Sequence, residues 1–237
     1  MTASPCGVAS CPVPAPDPDV LRRLASYVIP AGSRWRRAHK TQFPDPTALV
    51  PGVGNTRFAP LPDTRHAYLA QTPVAALLEC ALHDAVPPVP KIRRAQLALW
   101  TESVVELADS LRVIDLRDPQ LDRFGIGRDA LVSTTPTHYA CTRRWAAMLR
   151  GRHVGGRVTV GAAWNSRQVE AQAAALTDRP AMRHLVDTHP SDVIVLWLDP
   201  DAPSPLLPTG DGLGPLSTGP GKAFVTDLAA SLGIPIM

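Results

Sequence analysis

Strand-like and helix-like segments follow one another in this 237-residue chain without a regular βαβ rhythm. That order argues for an α+β fold and against a doubly wound parallel sheet. The clearest element is a helix. Thr72 is a good N-cap, and Pro73 stands at the first helical position, where a missing N–H costs least. Val74-Ala-Ala-Leu-Leu-Glu-Cys-Ala-Leu carries the helix on until Pro87-Pro88 stop it. Just before it, Ala67-Tyr68-Leu69-Ala70 reads as a short buried strand, and strand-like text begins at Ser33-Arg34-Trp35-Arg36. Further strands are expected at Ala95–Trp100, Leu111–Leu116, Arg157–Trp164 and Val193–Leu198. Helices are expected from about Pro18 to Tyr27, with Asp17 as cap, and at Thr137–Leu149, Ser166–Leu176 and Lys222–Leu232.

Proline, at 26 residues, clusters at both ends and in the connections. Residues 1–17 are small residues and prolines, too poor in bulky apolar groups to fold alone, so a disordered and dispensable leader is expected there. A short helix and lead-in would occupy 18–30. Residues 200–221 are Pro/Gly-rich and read as a loop over the surface or beside the site, with a C-terminal helix completing 200–237. No internal repeat is present.

Composition narrows the class only modestly. The chain is 45% hydrophobic and 19% charged, and its mean hydropathy of −0.01 is that of an ordinary soluble protein. A net charge of +3 gives weak support for an anionic partner, a nucleotide or a nucleic acid. Cys6, Cys11, Cys80 and Cys141 show no CxxC pair and no His-rich spacing, so neither a zinc site nor a disulfide framework is expected. No early stretch joins a basic start to an apolar core, and no apolar run approaches the ~20 residues needed to span a bilayer. The expectation is a reduced, cytoplasmic protein.

Glu79 is the most telling residue, a carboxylate in the middle of an otherwise apolar helix. Burying it alone would be costly unless a cation or a hydrogen-bond donor compensates. The plainer alternative is an exposed Glu paired with His83 one turn on. Arg36 and Arg57 lie on separate segments around a Pro/Gly loop, and guanidinium groups suit bidentate recognition of phosphate oxygens. Most arginines, however, only solvate a surface. Tyr68 is either core or a stacking platform, and Ser166 is either functional or simply the N-cap of its helix. Common nucleotide templates fail: Gly52-Val-Gly-Asn-Thr-Arg57 lacks the third glycine of a dinucleotide fingerprint. Before Gly221-Lys222, Leu216 replaces the first P-loop glycine and Ala223 replaces the Ser/Thr. There is no GxSxG elbow and no HExxH.

Read in order, these pieces resemble the RES domain, named for an Arg, a Glu and a Ser. The resemblance rests on Trp35-Arg36, then Gly54-Asn-Thr-Arg57-Phe58, then Tyr68-Leu-Ala with Ala75-Ala-Leu-Leu-Glu79, and finally Trp164-Asn-Ser166-Arg167. It covers about Gly32 to Leu198, which makes 31–199 the expected catalytic domain. The turn before Phe58 differs from the family's usual Gly-Gly-Arg-Trp, and Arg37 and Arg34 stand as rivals to Arg36. The resemblance implies a single α+β domain similar to ADP-ribosyltransferases, a split mixed sheet around an NAD cleft. It implies a toxin-like NAD+ phosphorylase or glycohydrolase, or a protein mono-ADP-ribosyltransferase, neutralised by an Xre-type antitoxin. NAD+ would be a consumed substrate, inorganic phosphate or water the acceptor, and no metal or other cofactor would be needed. Glu79, Arg36 and Ser166 would be catalytic, with Arg57 and Tyr68 binding NAD. A reading of another class, a non-catalytic basic module, would instead require clustered arginines and an exposed Glu79.

Overall fold

The structure is a computed structural model, and it describes residues 5–51, 54–83, 91–154, 156–177, 182 and 192–237. Its frame is one 10-stranded sheet. In chain order the strands are β1 (Ser26–Ile29), β2 (Arg34–Lys40), β3 (Val50–Pro51), β4 (Arg65–Ala70), β5 (Trp100–Leu107) and β6 (Leu111–Asp115). The small hairpin β7 (His153–Val154) and β8 (Arg157–Val158) stands apart, followed by β9 (Gly161–Asn165), β10 (Asp192–Leu198), β11 (Leu206–Pro208) and β12 (Gly214–Pro215). The order across the sheet is β1-β6-β9-β10-β4-β2-β5-β11, with β3 beside β4 and β12 beside β5. The β6–β9 pair is parallel and the other pairs are antiparallel, so the sheet is mixed and the α+β reading holds.

The central strand shows why. All seven residues of Asp192–Leu198 are buried. Val193, Val195 and Trp197 join one core, and Ile194, Leu196 and Leu198 join the other. A continuous apolar run is what a strand covered on both faces requires. The larger core lies under α6 (Tyr139–Leu149), α7 (Arg167–Ala171) and α9 (Gly219–Leu232), and it includes Trp145, Trp164, Val169 and Leu228. Each such side chain contributes about 1.5–3 kcal/mol when fully buried. Among the described residues no helix is long and apolar enough to cross a membrane.

The expected Thr72 cap is present, its Oγ accepting from the Ala75 N–H at 3.1 Å, and Pro73 opens α2 (Pro73–Ala76). The helix then changes character. Leu77–Ala81 form a π-turn, closed by the Leu82 N–H donating to the Leu77 carbonyl at 2.7 Å. A π-turn inserts one residue into the helical repeat and recurs at functional sites. Here it lies where Glu79 sits.

The other elements differ from expectation at identifiable points. The strand expected at Ala95–Trp100 is instead a short helix, α3 (Arg94–Leu97), after which β5 begins. Leu97 is buried but Leu99 is 56% exposed, so their alternation is not that of a strand. Residues 92–94 are held by the C-terminus, through Ile92 N–H to the Pro235 carbonyl at 3.0 Å and Arg94 N–H to the Met237 carbonyl at 2.8 Å. The loop over 200–221 contributes β11 and β12 to the sheet edge. The first helix, α1 (Pro18–Arg23), ends early because Tyr27 belongs to β1. The helix expected at Ser166–Leu176 is broken into α7 and α8 (Ala173–Thr177).

The disordered leader is also corrected for its described part, residues 5–17. Val13 is 8% exposed, and the Trp145 indole N–H donates to the Pro14 carbonyl at 2.8 Å. The segment covers Trp145, which is 1% exposed. Deleting residues 1–17 should therefore cost about 3 kcal/mol, from one buried side chain and one hydrogen bond whose donor loses its partner. For a chain of this size that is a fall in Tm on the order of 10 °C. An unchanged melting curve for the truncated protein would show that the segment does not pack.

Candidate active site

β2 runs along β5 over its whole length, from Arg34↔Glu106 to Lys40↔Trp100. On its other side it meets β4 through Arg36↔Ala70 alone. Past that bridge the two strands part, and a cavity of about 410 Å3 opens between them. Arg37, His39 and Lys40 line one wall, His66 and Tyr68 the other, and Glu79, Cys80 and His83 come from the π-turn and its end. The split in the sheet is therefore the candidate site. Its volume is within the ~300–1,000 Å3 usual for small-molecule pockets.

Glu79 is half-buried in this cavity. Its Oε1 accepts a hydrogen bond from the Ser166 hydroxyl at 2.6 Å. Ser166 is fully buried and also caps α7, its Oγ accepting from the Val169 N–H at 3.2 Å. The cap reading of Ser166 holds, and the hydroxyl that accepts from the helix also donates to Glu79. Ser166 follows β9, whose end is anchored by Asn165 donating to Asp192 at 2.8 Å. Asp192 in turn pairs with Arg117 at 3.1 Å, and Arg117 with Asp115 at 2.8 Å.

Arg57 is 9% exposed and lines the cavity. Its guanidinium donates to the Val132 carbonyl and, at 3.2 Å, to the Thr134 carbonyl, and it lies 5.4 Å from the Tyr139 ring centroid. The turn that carries it is fixed from several sides. The Tyr68 hydroxyl accepts from the Phe58 N–H at 3.1 Å and bonds the Thr56 hydroxyl at 2.8 Å. The Thr142 hydroxyl donates to the Arg57 carbonyl, and the Trp197 indole donates to the Phe58 carbonyl at 2.9 Å. Burial pushes the Tyr68 phenol well above its ordinary pKa, so it stays neutral. Tyr68 thus offers its ring to the cavity while its hydroxyl holds Arg57's turn.

Arg36 is corrected. It faces β5, its guanidinium 3.4 Å from the fully buried Glu102 carboxylate, and it does not line the cavity. Arg34 pairs with Asp211 at the surface. Arg37 is the arginine of this strand that lines the cavity. It is 6% exposed and donates to the Pro46 carbonyl and, at 2.7 Å, to the Ala48 carbonyl. Burial pushes its pKa down to about 10, which leaves it charged at neutral pH. The reason is position along the strand: Arg36 sits at the bridge to Ala70, and the residues past it, Arg37 to Lys40, line the split.

Other cavity residues carried no individual signal in the sequence. His39 bonds the Phe43 carbonyl and the Ser103 hydroxyl, each at 3.0 Å, and burial, with help from Arg37, lowers its pKa. Lys40 Nζ sits 3.8 Å from the Trp100 ring centroid. The Tyr139 hydroxyl and His83 Nε2 are 3.4 Å apart. The π-turn is the reason consecutive residues, Glu79 and Cys80, both reach the cavity.

These features define an α+β domain whose candidate site is a cleft at a split in a mixed sheet, lined by Arg37, Lys40 and Arg57 and by the carboxylates of Asp45 and Glu79. The chain belongs to the RES domain family, whose model matches residues 27–199. Its fold is similar to that of a chain in the crystal structure of the M. tuberculosis MbcT-MbcA toxin-antitoxin complex, with a TM-score of 0.54 at 15% identity, covering 90% of this chain and 98% of that one. No curated protein sequence matches at a significant level.

The Ser166–Glu79 bond makes a graded prediction. Ser166→Ala removes both a helix cap, costing about 1 kcal/mol, and the donor that orients Glu79. Turnover should fall roughly ten-fold, the effect of one neutral-to-charged hydrogen bond of about 1.5 kcal/mol, with the fold retained. Ser166→Thr, which keeps the hydroxyl, should recover most of it. Equal rates in all three proteins would separate Ser166 from the chemistry.

Proposed function

We propose that this chain cleaves the nicotinamide–ribose bond of NAD+. The observation that carries the reading is Glu79, a carboxylate held by Ser166 on the floor of a cleft whose walls carry Arg37 and Arg57. Breaking an N-glycosidic bond develops positive charge on the ribose, an oxocarbenium-like centre as in glycoside hydrolysis. A fixed carboxylate in a partly desolvated site stabilises that charge far better than water does. Nicotinamide leaves with the electron pair of the broken bond, and phosphate or water adds to the ribose carbon, with its proton passing to solvent. Arg37 and Arg57 are each pinned on loop carbonyls, so their charge is preorganised for a pyrophosphate. Tyr68 offers an aromatic surface to the nicotinamide.

The non-catalytic alternative requires an exposed Glu79, and the half-buried carboxylate in the cavity weighs against it. The structural neighbour comes from a toxin–antitoxin complex, which supports a toxin whose activity an antitoxin, here of the Xre type, would neutralise. The test is to incubate purified protein with NAD+, with and without inorganic phosphate, and to identify the products by mass spectrometry. Nicotinamide release with ADP-ribose 1″-phosphate indicates phosphorolysis, release with ADP-ribose indicates hydrolysis, and ADP-ribose attached to protein indicates transfer to a side chain. Absence of nicotinamide release from folded protein, under all of these conditions, would overturn the proposal.

A further inference from the structure

The N-terminal segment and the start of α6 bring together side chains that are more than 120 residues apart in sequence. Cys6 and Cys11 come from the segment, and His138 and Cys141 from the turn that opens α6. The Cys6 and Cys11 sulfurs lie 3.5 and 3.3 Å from His138 Nδ1, and the Cys11 and Cys141 sulfurs are 3.6 Å apart. All three sulfurs are mutually within 4.8 Å. We propose that Cys6, Cys11, His138 and Cys141 form a structural zinc site that fastens the N-terminal segment to α6.

The distances suit this chemistry better than its rival. With Zn–S near 2.3 Å and Zn–N near 2.0–2.1 Å, a tetrahedron places its sulfurs about 3.8 Å apart and sulfur and nitrogen about 3.6 Å apart. A disulfide needs about 2.05 Å. His138 caps α6 and Cys141 lies in its first turn. Cys6 and Cys11 approach from the segment, and the His138 ring, already beside these two sulfurs, would turn to complete the set with Cys141. Three thiolates and one imidazole are a soft donor set that selects zinc over the oxygen-seeking cations. Four protein ligands leave no open position, the mark of a structural rather than a catalytic site. Binding would deprotonate the three thiols, and the protons would go to solvent.

The site lies behind the cleft. Tyr139, next to His138, lines the cavity, and Thr142, next to Cys141, holds the Arg57 carbonyl. Trp145, one turn further, takes the Pro14 carbonyl. The metal, Val13 and Pro14 would therefore act on one short stretch of α6. The proposal departs from the expectation, drawn from spacing alone, that no zinc site is present, because the two halves are far apart in sequence and each would carry only two ligands.

The test uses the untagged full-length chain, prepared and reconstituted with zinc under reducing conditions, with metal measured by mass spectrometry. About one tightly held zinc per chain is expected, lost in the Cys11→Ser/Cys141→Ser double variant. Chelation should lower Tm by on the order of 5–10 °C. If the double variant does not fold, cobalt replaces it as the readout: the wild-type chain loaded with Co2+ should show the strong visible bands of tetrahedral thiolate coordination. Failure to retain zinc after reconstitution, an octahedral cobalt spectrum, zinc retained by the folded double variant, or a Cys11–Cys141 disulfide in the isolated protein would each overturn the proposal. None of these readouts depends on NAD cleavage.

Discussion

Glu79→Gln should reduce NAD+ cleavage by 10²–10³ without unfolding the protein. Glutamine matches the size and helix propensity of glutamate, and its side-chain carbonyl can still accept from the Ser166 hydroxyl. What disappears is the negative charge facing the ribose. Preorganised electrostatics of this kind are commonly worth ~3–4 kcal/mol, which is the stated loss in rate. Were Glu79 only a solvated partner of His83, the pair would contribute about 0.5 kcal/mol or less and turnover would not change. Nicotinamide release by the two proteins, compared at equal circular dichroism and Tm, decides between them. Wild-type rates in a well-folded variant would remove Glu79 from the mechanism.

The second large effect separates two neighbouring arginines. Arg37→Ala should weaken NAD+ binding by roughly 10–100-fold, because a charged hydrogen bond contributes ~1.5–3 kcal/mol and a pyrophosphate takes at least one from this guanidinium. Arg36→Ala should leave binding nearly unchanged and lower stability instead. Its loss leaves Glu102, fully buried, with the Leu213 N–H at 2.6 Å as a hydrogen-bond donor. Removing one partner of a fully buried pair costs ~3–5 kcal/mol. Arg36 is a third exposed and 3.4 Å from its partner, so a cost of about 1–2 kcal/mol is expected after solvent screening. Titration calorimetry with NAD+ on the Glu79→Gln background, where substrate is not consumed, measures the first effect and thermal melting the second. Weaker binding in Arg36→Ala with none in Arg37→Ala would reverse the assignment.

Local chemistry made much of this molecule legible in the sequence. Thr72 and Pro73 start their helix because a hydroxyl cap and a missing N–H are both satisfied within one turn. The run Val193–Leu198 read as a strand, and the structure buries it on both faces. Order and spacing of Arg36, Arg57, Tyr68, Glu79 and Ser166 pointed to one family, and the structure brings all of them but Arg36 to one cleft and its immediate support. The split in the sheet was implied by that resemblance and is seen at the single Arg36↔Ala70 bridge.

Tertiary structure decided the remainder, for reasons a linear pattern does not carry. Which of Arg34, Arg36 and Arg37 meets the cavity depends on where β2 parts from β4, just past the Arg36↔Ala70 bridge. The strand β5 was hidden because Glu102, a charged residue, occupies an inward position that only Arg36 and the Leu213 N–H make tolerable. The π-turn at Leu77–Ala81 has no compositional signature, yet it turns both Glu79 and Cys80 toward the cleft. The N-terminal segment is too poor in apolar groups to fold alone, and it packs because Trp145 offers it a surface and a hydrogen bond. Its two cysteines gain meaning only where the fold lays them against His138 and Cys141. Sequence by itself determined many of the elements, because these follow from neighbours a few residues away. Orientation within strands and contacts between distant segments were settled by packing alone.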